Sequence, residues 1–281
     1  LMDNMEEKIA DLRKRQQDAR AMGGAEGLRR HLESGRLPVR ERVELLIDPD
    51  SWFEIGALGL PELRRDRPVP GDAVVTGFAT LDGRQIGVIG IDSSILAGTT
   101  APTSMRKQGR LIETAQKNGF PIVLLCDADG GRIPDVMGWR FSYLPLDFRT
   151  FLKRTDGGPL VPRAAAVLGP SYGDSALHAA TADFVVMVRR ASIALVGPSV
   201  IEPAIGEKLT DAELGGPEKA LALQCPYGGR QRGRSDGRHR CLPFLPAVEQ
   251  RRTGAGGAGT AAGARSGRTW RAGAARPPLR L

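Results

Sequence analysis

Histidine, cysteine and the aromatic residues are scarce in this chain: three His, three Cys and 5% Phe, Trp and Tyr in 281 residues. Cys126, Cys225 and Cys241 show neither Cys-x-x-Cys nor Cys/His spacing. That excludes a zinc framework, and a cytoplasmic protein without disulfides is the expectation. No stretch approaches the roughly 18 apolar residues of a membrane span. The start, Leu-Met-Asp-Asn-Met-Glu-Glu, carries acids where a signal peptide has a basic flank, so export by that route is not expected.

Lysine, isoleucine, methionine and asparagine are missing altogether from residues 225–281, which hold 12 arginines and two acids, Asp236 and Glu249. This tail carries +10 of formal charge against +8 for the whole chain, so residues 1–224 carry −2. The basic balance therefore says nothing about the partners of the body. An Arg/Gly/Ala/Pro composition without apolar periodicity reads either as a disordered basic tail or as GC-rich coding sequence translated out of frame. Such a tail can hold phosphates nonspecifically, but Tyr227, Phe244 and Trp270 are too sparse to stack bases, which disfavours a nucleic-acid binder.

The body alternates strand and helix signals. Met5 to about Arg20 reads as a helix with Met5, Ile9, Leu12 and Ala19 on one stripe, and a second helix runs from about Ala25 to Glu33. Val39, Val43 and Leu46 share a third helical face, Pro49 ends that helix, and Trp52-Phe53 can pack back on it. Val74–Leu81 and Gln85–Asp92 flank Asp82-Gly83, a strong hairpin signal. Thr100-Ala-Pro102 opens a helix with Ala101, Met105, Gln108, Ile112 and Ala115 on one face, and Asn118-Gly119 closes it. Two more short strands are expected at Asp183–Val188 and Ile193–Val196, then a short helix over Pro198–Ile205 and a polar turn over Leu209–Gly216. This order predicts an α/β fold of stacked β-β-α units.

Two stretches share one design. Pro121–Cys126 is a buried-strand run followed by Asp127-Ala-Asp-Gly-Gly131 as a turn. Ala164–Leu168 is another, which Gly169-Pro170 should stop, and Gly173, Asp174 and Ser175 should open a helix with Ala176, Leu177 and Ala180 at helical spacing. Small residues at two strand ends allow one site lined by main-chain donors, since the first N–H groups of a helix lack internal partners and attract anions.

The run from Gly35 to Glu54 resembles the opening segment of the carboxyltransferase (β) subunits of biotin-dependent acyl-CoA carboxylases. Gly71-Asp-Ala-Val-Val-Thr-Gly-Phe78, Asp127-Ala-Asp-Gly-Gly-Arg-Ile133, Gly169-Pro170 and Glu213-Leu-Gly-Gly-Pro217 are similar to later motifs of that family, in the same order. The resemblance implies a crotonase-like fold that binds acyl-CoA, with a biotin carboxylase/biotin carrier α subunit as partner, carboxybiotin on that carrier, and a homo-oligomer. It implies an N-terminal helical segment (1–50), an acyl-CoA-binding domain (51–224) and the tail (225–281). By motif alignment, the backbone N–H groups of Gly173 and Asp174 would hold the thioester oxygen as the α-carbon becomes an enolate. Gly130, Gly131 and Arg132 would lie beside the CoA arm. The family has Gly-Gly where this chain has Gly173-Asp174, glycine at Asp129 and alanine at Gly131, and the Asp174 carboxylate is expected to repel charge at the oxyanion turn.

Gly169-Pro-Ser171-Tyr-Gly173 also matches the Gly-x-Ser-x-Gly nucleophile elbow, and a hydrolase using Ser171 is the alternative enzyme. It lacks a placed base, since His178 follows on the next helix, His31 lies in the N-terminal segment and His239 in the tail. Trp139, Phe141 and Tyr143 could line an acyl pocket or simply pack in the core.

Residues 225–281 offer too little periodic apolar surface to offset chain entropy. Limited proteolysis should therefore trim the chain to a stable core ending near Gln224, and a protease-resistant tail would contradict this.

Overall fold

The Asp82-Gly83 turn joins two strands of eight residues in the expected place: β2 (Val74–Leu81) and β3 (Arg84–Ile91) pair antiparallel from Val74↔Ile91 to Leu81↔Arg84. The computed structural model describes residues 4–63, 69–136 and 161–224. The expectations for Trp139, Phe141, Tyr143 and the tail lie outside the described residues. Ahead of the hairpin come α1 (Met5–Arg20), α2 (Gly24–Glu33), α3 (Val39–Leu46) and a short strand β1 (Phe53–Ile55), which adds antiparallel to β2. After it, α4 (Pro102–Asn118) crosses over to β4 (Ile122–Asp129), which lies parallel to β3. A short helix α5 (Ile133–Val136) follows the first glycine turn.

The second half repeats the crossover. Strand β5 (Arg163–Tyr172) runs parallel to β4, and α6 (Asp174–Ala180) leaves it. Strand β6 (Phe184–Met187) lies beside Ala164–Val167, and β7 (Ser192–Ala194) beside Pro170–Tyr172, both parallel to β5. Among the described residues the sheet has seven strands, ordered β1-β2-β3-β4-β5-β6 with β7 on β5. Three helices close the described chain: α7 (Pro198–Ile205), α8 (Asp211–Gly215) and α9 (Pro217–Gln224).

Burial explains why these runs fold as they do. On one face of the sheet Ile89, Leu124, Cys126, Ala165 and Val167 pack against Met105, Leu111, Ile112 and Ala115 of α4. On the other, Ile86, Val88 and Leu125 pack against Val43 and Leu46 of α3, with Trp52 at the edge. The central strands are thus covered on both sides, as continuous apolar runs require.

Several expectations need correction. The α1 helix forms over the expected residues, but its stripe is largely uncovered: Met5, Ile9 and Leu12 are exposed and only Ala19 is buried. Trp52 packs back as expected, whereas Phe53 is 68% exposed. On α6 the covered positions are Asp174, Ser175, Ala176, His178 and Ala179, and Ala180 faces out. Leu209–Gly216 contains a helix, because Thr210 and Glu213 form a reciprocal capping box.

The two strand stops are also displaced. Asp127-Ala-Asp129 belongs to β4, and β5 continues through Gly169-Pro170 to Tyr172. Pairing between β4 and β5 skips register between Cys126 and Ala128, opposite Gly169-Pro170, so a residue without an N–H is accommodated there. Gly169 has a second reason to lack a side chain, since a Cβ would stand 2.3 Å from Asp127 Oδ1.

Asp127 fixes the N-terminal segment to the sheet. Its Oδ1 accepts from Arg36 Nη1 at 2.7 Å and its Oδ2 from Arg42 Nη2 at 2.9 Å. Arg42 is 5% exposed and Arg36 30%. Removing one partner of a buried pair strands the other charge, at about 3–5 kcal/mol. Asp127→Asn should lower the free energy of unfolding by that amount, and the denaturation midpoint with it, whereas Arg36→Ala should cost under about 1 kcal/mol. An unchanged midpoint for Asp127→Asn would contradict the assignment.

Candidate active site

Strands β4 and β5 are parallel neighbours paired out to Asp129↔Tyr172, so their ends turn side by side. The turns that follow touch: a Cβ on Gly173 would stand 3.1 Å from Gly130 Cα and 3.6 Å from Gly131 N. Gly173, at φ 63° and ψ −125°, occupies a region open in practice to glycine alone. Gly130, Gly131, Gly173 and Asp174, singled out by sequence, therefore come together at one place.

Main-chain donors do gather there, though not quite as expected. Gly173 N–H donates to Leu195 O at 3.1 Å, so this donor is engaged. Among the described residues, the N–H groups of Gly131 and Asp174 have no backbone carbonyl as acceptor, whereas Gly130 follows directly on the Asp129↔Tyr172 end of the ladder. Gly173 thus contributes the shape of the turn, and the available donors are its neighbours. Thr100 stitches the two turns from behind: its N–H donates to Gly130 O at 2.9 Å, and its carbonyl accepts from Arg132 N at 2.7 Å.

Arg132 is placed differently from the reading that sets it beside a CoA arm. Its guanidinium is buried, donating from Nη1 to Asp72 Oδ1 at 2.5 Å and from Nη2 to Thr99 O at 2.6 Å. It braces the turn. Asp72 in turn accepts from Ser104 N at 2.8 Å, which ties the start of α4 to the strained Gly71-Asp72-Ala73 bend, where all three φ angles are positive. Lys107 Nζ donates to Gly71 O at 2.7 Å and to Val74 O. Burial draws this amine down to about 8, against the opposing pull of Glu54 and Asp72. The sequence reading passed over Asp72 and Lys107 in these roles; their signal was charge inside otherwise buried segments.

The Asp174 carboxyl does not point outward to repel a ligand. The residue is 6% exposed and its Oδ1 lies 3.0 Å from Thr100 Oγ1. Burial pushes this carboxyl up from its ordinary range, while the Thr100 hydroxyl, the Gln108 amide and the Ser175 and Asp174 N–H groups pull the other way. The Gln108 contact is loose, because neither Gln108 Nε2 nor Asp174 Oδ2 completes a hydrogen bond. Asp129, by contrast, is exposed at the rim; burial raises its carboxyl first, Asp211 adds to this and Arg36 opposes it. Tyr172 OH, between Ser192 Oγ at 2.8 Å and the Asp211 carboxylate, is raised by burial and by Asp211.

Among the described residues no nucleophile–base pair forms around Ser171. It is 0% exposed within β5, and its hydroxyl donates back to Gly169 O at 3.2 Å. His178 Nε2 meets Gln108 Oε1 at 2.8 Å, and burial lowers the imidazole to about 3, with Arg163 adding to the effect. His31 is tied to Leu37 O at 2.9 Å and Ser93 Oγ at 3.2 Å. Burial likewise raises the Cys126 thiol to about 12. Ser171 is a strand-interior residue two positions short of the true turn, which removes the elbow geometry that the hydrolase alternative needs.

Two cavities lie away from this place: one of about 590 Å³ beside Arg40, Trp52 and Glu54, and one of about 450 Å³ beside Thr76, Lys107 and Arg110. Neither is lined by a residue of the glycine turns. Among the described residues no group of three or more His, Cys, Asp or Glu could hold a metal ion, and no helix is long and apolar enough to cross a membrane.

Residues 30–222 match the carboxyl transferase domain. The chain is 31% identical over 218 residues to the propionyl-CoA carboxylase beta chain of Cereibacter sphaeroides, covering 75% of this chain and 42% of that protein. It is also 31% identical over 221 residues to the biotin-dependent acetyl-/propionyl-coenzyme A carboxylase beta5 subunit of Mycobacterium tuberculosis, covering 76% and 39%. Among solved structures, the hexameric transcarboxylase 12S with hydrolysed methylmalonyl-coenzyme A bound superposes with a TM-score of 0.71 at 30% identity, over 80% of this chain and 45% of that one. The chain thus spans less than half the length of these relatives, and its α/β architecture is the crotonase-like one of these carboxyltransferases. Matched over more than half its length, the chain belongs to the carboxyl transferase domain family.

Proposed function

We propose that residues 51–224 form the acyl-CoA-binding half of a biotin-dependent acyl-CoA carboxyltransferase. The observation that carries this reading is the contact between two glycine turns whose Gly131 and Asp174 N–H groups have no backbone acceptor. Loss of a proton from the carbon next to a thioester moves charge onto the carbonyl oxygen, and fixed donors aimed there lower the barrier. One such donor is worth roughly 2.7–4 kcal/mol. In this reading Asp174 N–H and Gly131 N–H hold the thioester oxygen, Gly173 shapes the turn, and Arg132 positions Gly131 through Asp72 and Thr99.

Carboxybiotin, when bound, supplies the carboxyl group that the enolate carbon takes up. Both convergent turns are assigned here to the thioester, so the described residues leave no comparable donor pair for biotin, and we assign that site to polypeptide outside them. The partners in this reading are the acyl-CoA, a biotin carboxylase/biotin carrier subunit and further copies of the chain.

Calorimetry with acetyl-, propionyl- and butyryl-CoA should give Kd values between ~1 μM and ~1 mM, the range for a site with part of its walls. No heat with any of the three would sink the reading. Gly173→Ala would force a Cβ against Gly130 in a conformation costing about 1–3 kcal/mol, and should weaken binding at least about tenfold with the circular dichroism unchanged. Wild-type affinity in that variant would contradict the placement. Purified residues 1–281, given biotin carboxylase and carrier, should bind acyl-CoA without turnover, since the positioning term worth roughly 7–11 kcal/mol is forfeited. Measurable carboxylation would refute this part.

A further inference from the structure

Behind the two turns lies a set of buried polar side chains that, among the described residues, includes no lysine or arginine. Thr100, Gln108, Asp174, Ser175 and His178 are all buried. Thr100 Oγ1 stands 3.0 Å from Asp174 Oδ1 and 3.4 Å from Gly130 O. A threonine hydroxyl has one proton to give. With Asp174 ionised, that proton goes to the carboxylate and the approach to Gly130 O becomes a contact between two lone pairs. With Asp174 protonated, the carboxyl donates to Thr100 and Thr100 passes its own proton to Gly130 O. The Thr100 N–H reaches Gly130 O in either state, and only the second arrangement adds the hydroxyl to that link.

The surroundings favour the same state. Asp174 Oδ2 has no hydrogen-bond partner, and a buried carboxylate with an unsatisfied oxygen is far costlier than a buried acid. The groups facing it are Thr100 and Gln108 at the start of and on α4, Cys126 on β4, and Ser175 and His178 on its own helix. None is a cation, since His178 is held near 3. Asp127 beyond Cys126 is already paired with Arg36 and Arg42, and Arg163 acts on His178. Burial raises the Asp174 carboxyl accordingly. A neutral acid is also a weaker acceptor, which leaves the Asp174 and Ser175 N–H groups to an incoming oxygen.

We propose that Asp174 is a positioning residue whose protonated carboxyl, through Thr100, fixes the spacing of the two glycine turns and sets the pH range over which the cradle holds an acyl-CoA. The inference rests on the acyl-CoA reading for its ligand, but the protonation state and the strut stand without it. The sign follows from linkage. A carboxyl raised in the folded chain binds more protons folded than unfolded between its ordinary and its folded value, so its cost to stability appears as pH rises through that window.

Two measurements on the full chain test this. Infrared difference spectra of wild type against Asp174→Asn should show a protonated carboxyl stretch at neutral pH that the variant lacks and that fades on alkalinisation. No such band would overturn the proposal whether or not acyl-CoA binds. Propionyl-CoA affinity of the wild type should fall with rising pH by up to about tenfold per unit, the limit for one coupled proton. Asp174→Asn, which keeps the shape and can donate to Thr100, should bind without that fall. Thr100→Val, which breaks the chain at its centre, should bind weakly at every pH, and Thr100→Ser should restore the wild-type profile. An Asp174→Asn profile that falls like the wild type, or a Thr100→Val profile equal to it, would overturn the proposal; loss of binding in all proteins with the infrared band intact would instead sink the acyl-CoA reading.

Discussion

Parallel pairing of β4 and β5 is the constraint on which the rest of this structure depends. Two neighbouring strands that run the same way and end at the same level, Asp129 opposite Tyr172, must turn away at one place. Whatever follows each strand is forced into contact, and only small residues can meet there. Gly130, Gly131 and Gly173 meet that demand, and the Gly131 and Asp174 N–H groups are left without a backbone acceptor because each segment leaves the ladder at that point. Open α/β sheets present ligands at the carboxyl ends of their strands for the same reason.

The charges beneath the sheet end serve that geometry. Asp127 draws Arg36 and Arg42 from the N-terminal segment onto β4, Asp72 joins the start of α4 to Arg132 beyond the first turn, and Lys107 closes the bend that carries Asp72. A buried ion pair is poor evidence for stability as such, because desolvation offsets most of the attraction. Here the pairs fix where backbone segments of high positional demand end up, and Arg132 is the clearest case: a cation beside a candidate anion site that spends itself entirely on structure.

Much of this was legible in the sequence wherever the signal was local. Asp82-Gly83 gave the hairpin, Pro102 and Asn118-Gly119 bounded α4, and the apolar runs gave β4 and the start of β5. The misses came from pairing, which no local pattern carries. Gly169-Pro170 reads as a stop, yet the slipped register of β4 removes the demand for the missing N–H and β7 takes up the strand beyond it. The same continuation moves Ser171 from an elbow to a strand interior and leaves the turn to Gly173. The α1 stripe of Met5, Ile9 and Leu12 has helical spacing and still faces outward, since periodicity gives a face without saying what covers it. Asp174 was legible as a departure from its family, but the direction of its carboxyl depends on Thr100, 74 residues away in sequence.

The central claim is that the two turns act as one cradle for a single oxygen. Hydrogen–deuterium exchange at the Gly131 and Asp174 amides, with and without saturating propionyl-CoA, tests it most directly. The account predicts that both amides slow together and to a similar degree, with Gly173, already bonded to Leu195, unchanged. Protection of one turn alone, or of Gly173 in place of Asp174, would contradict it.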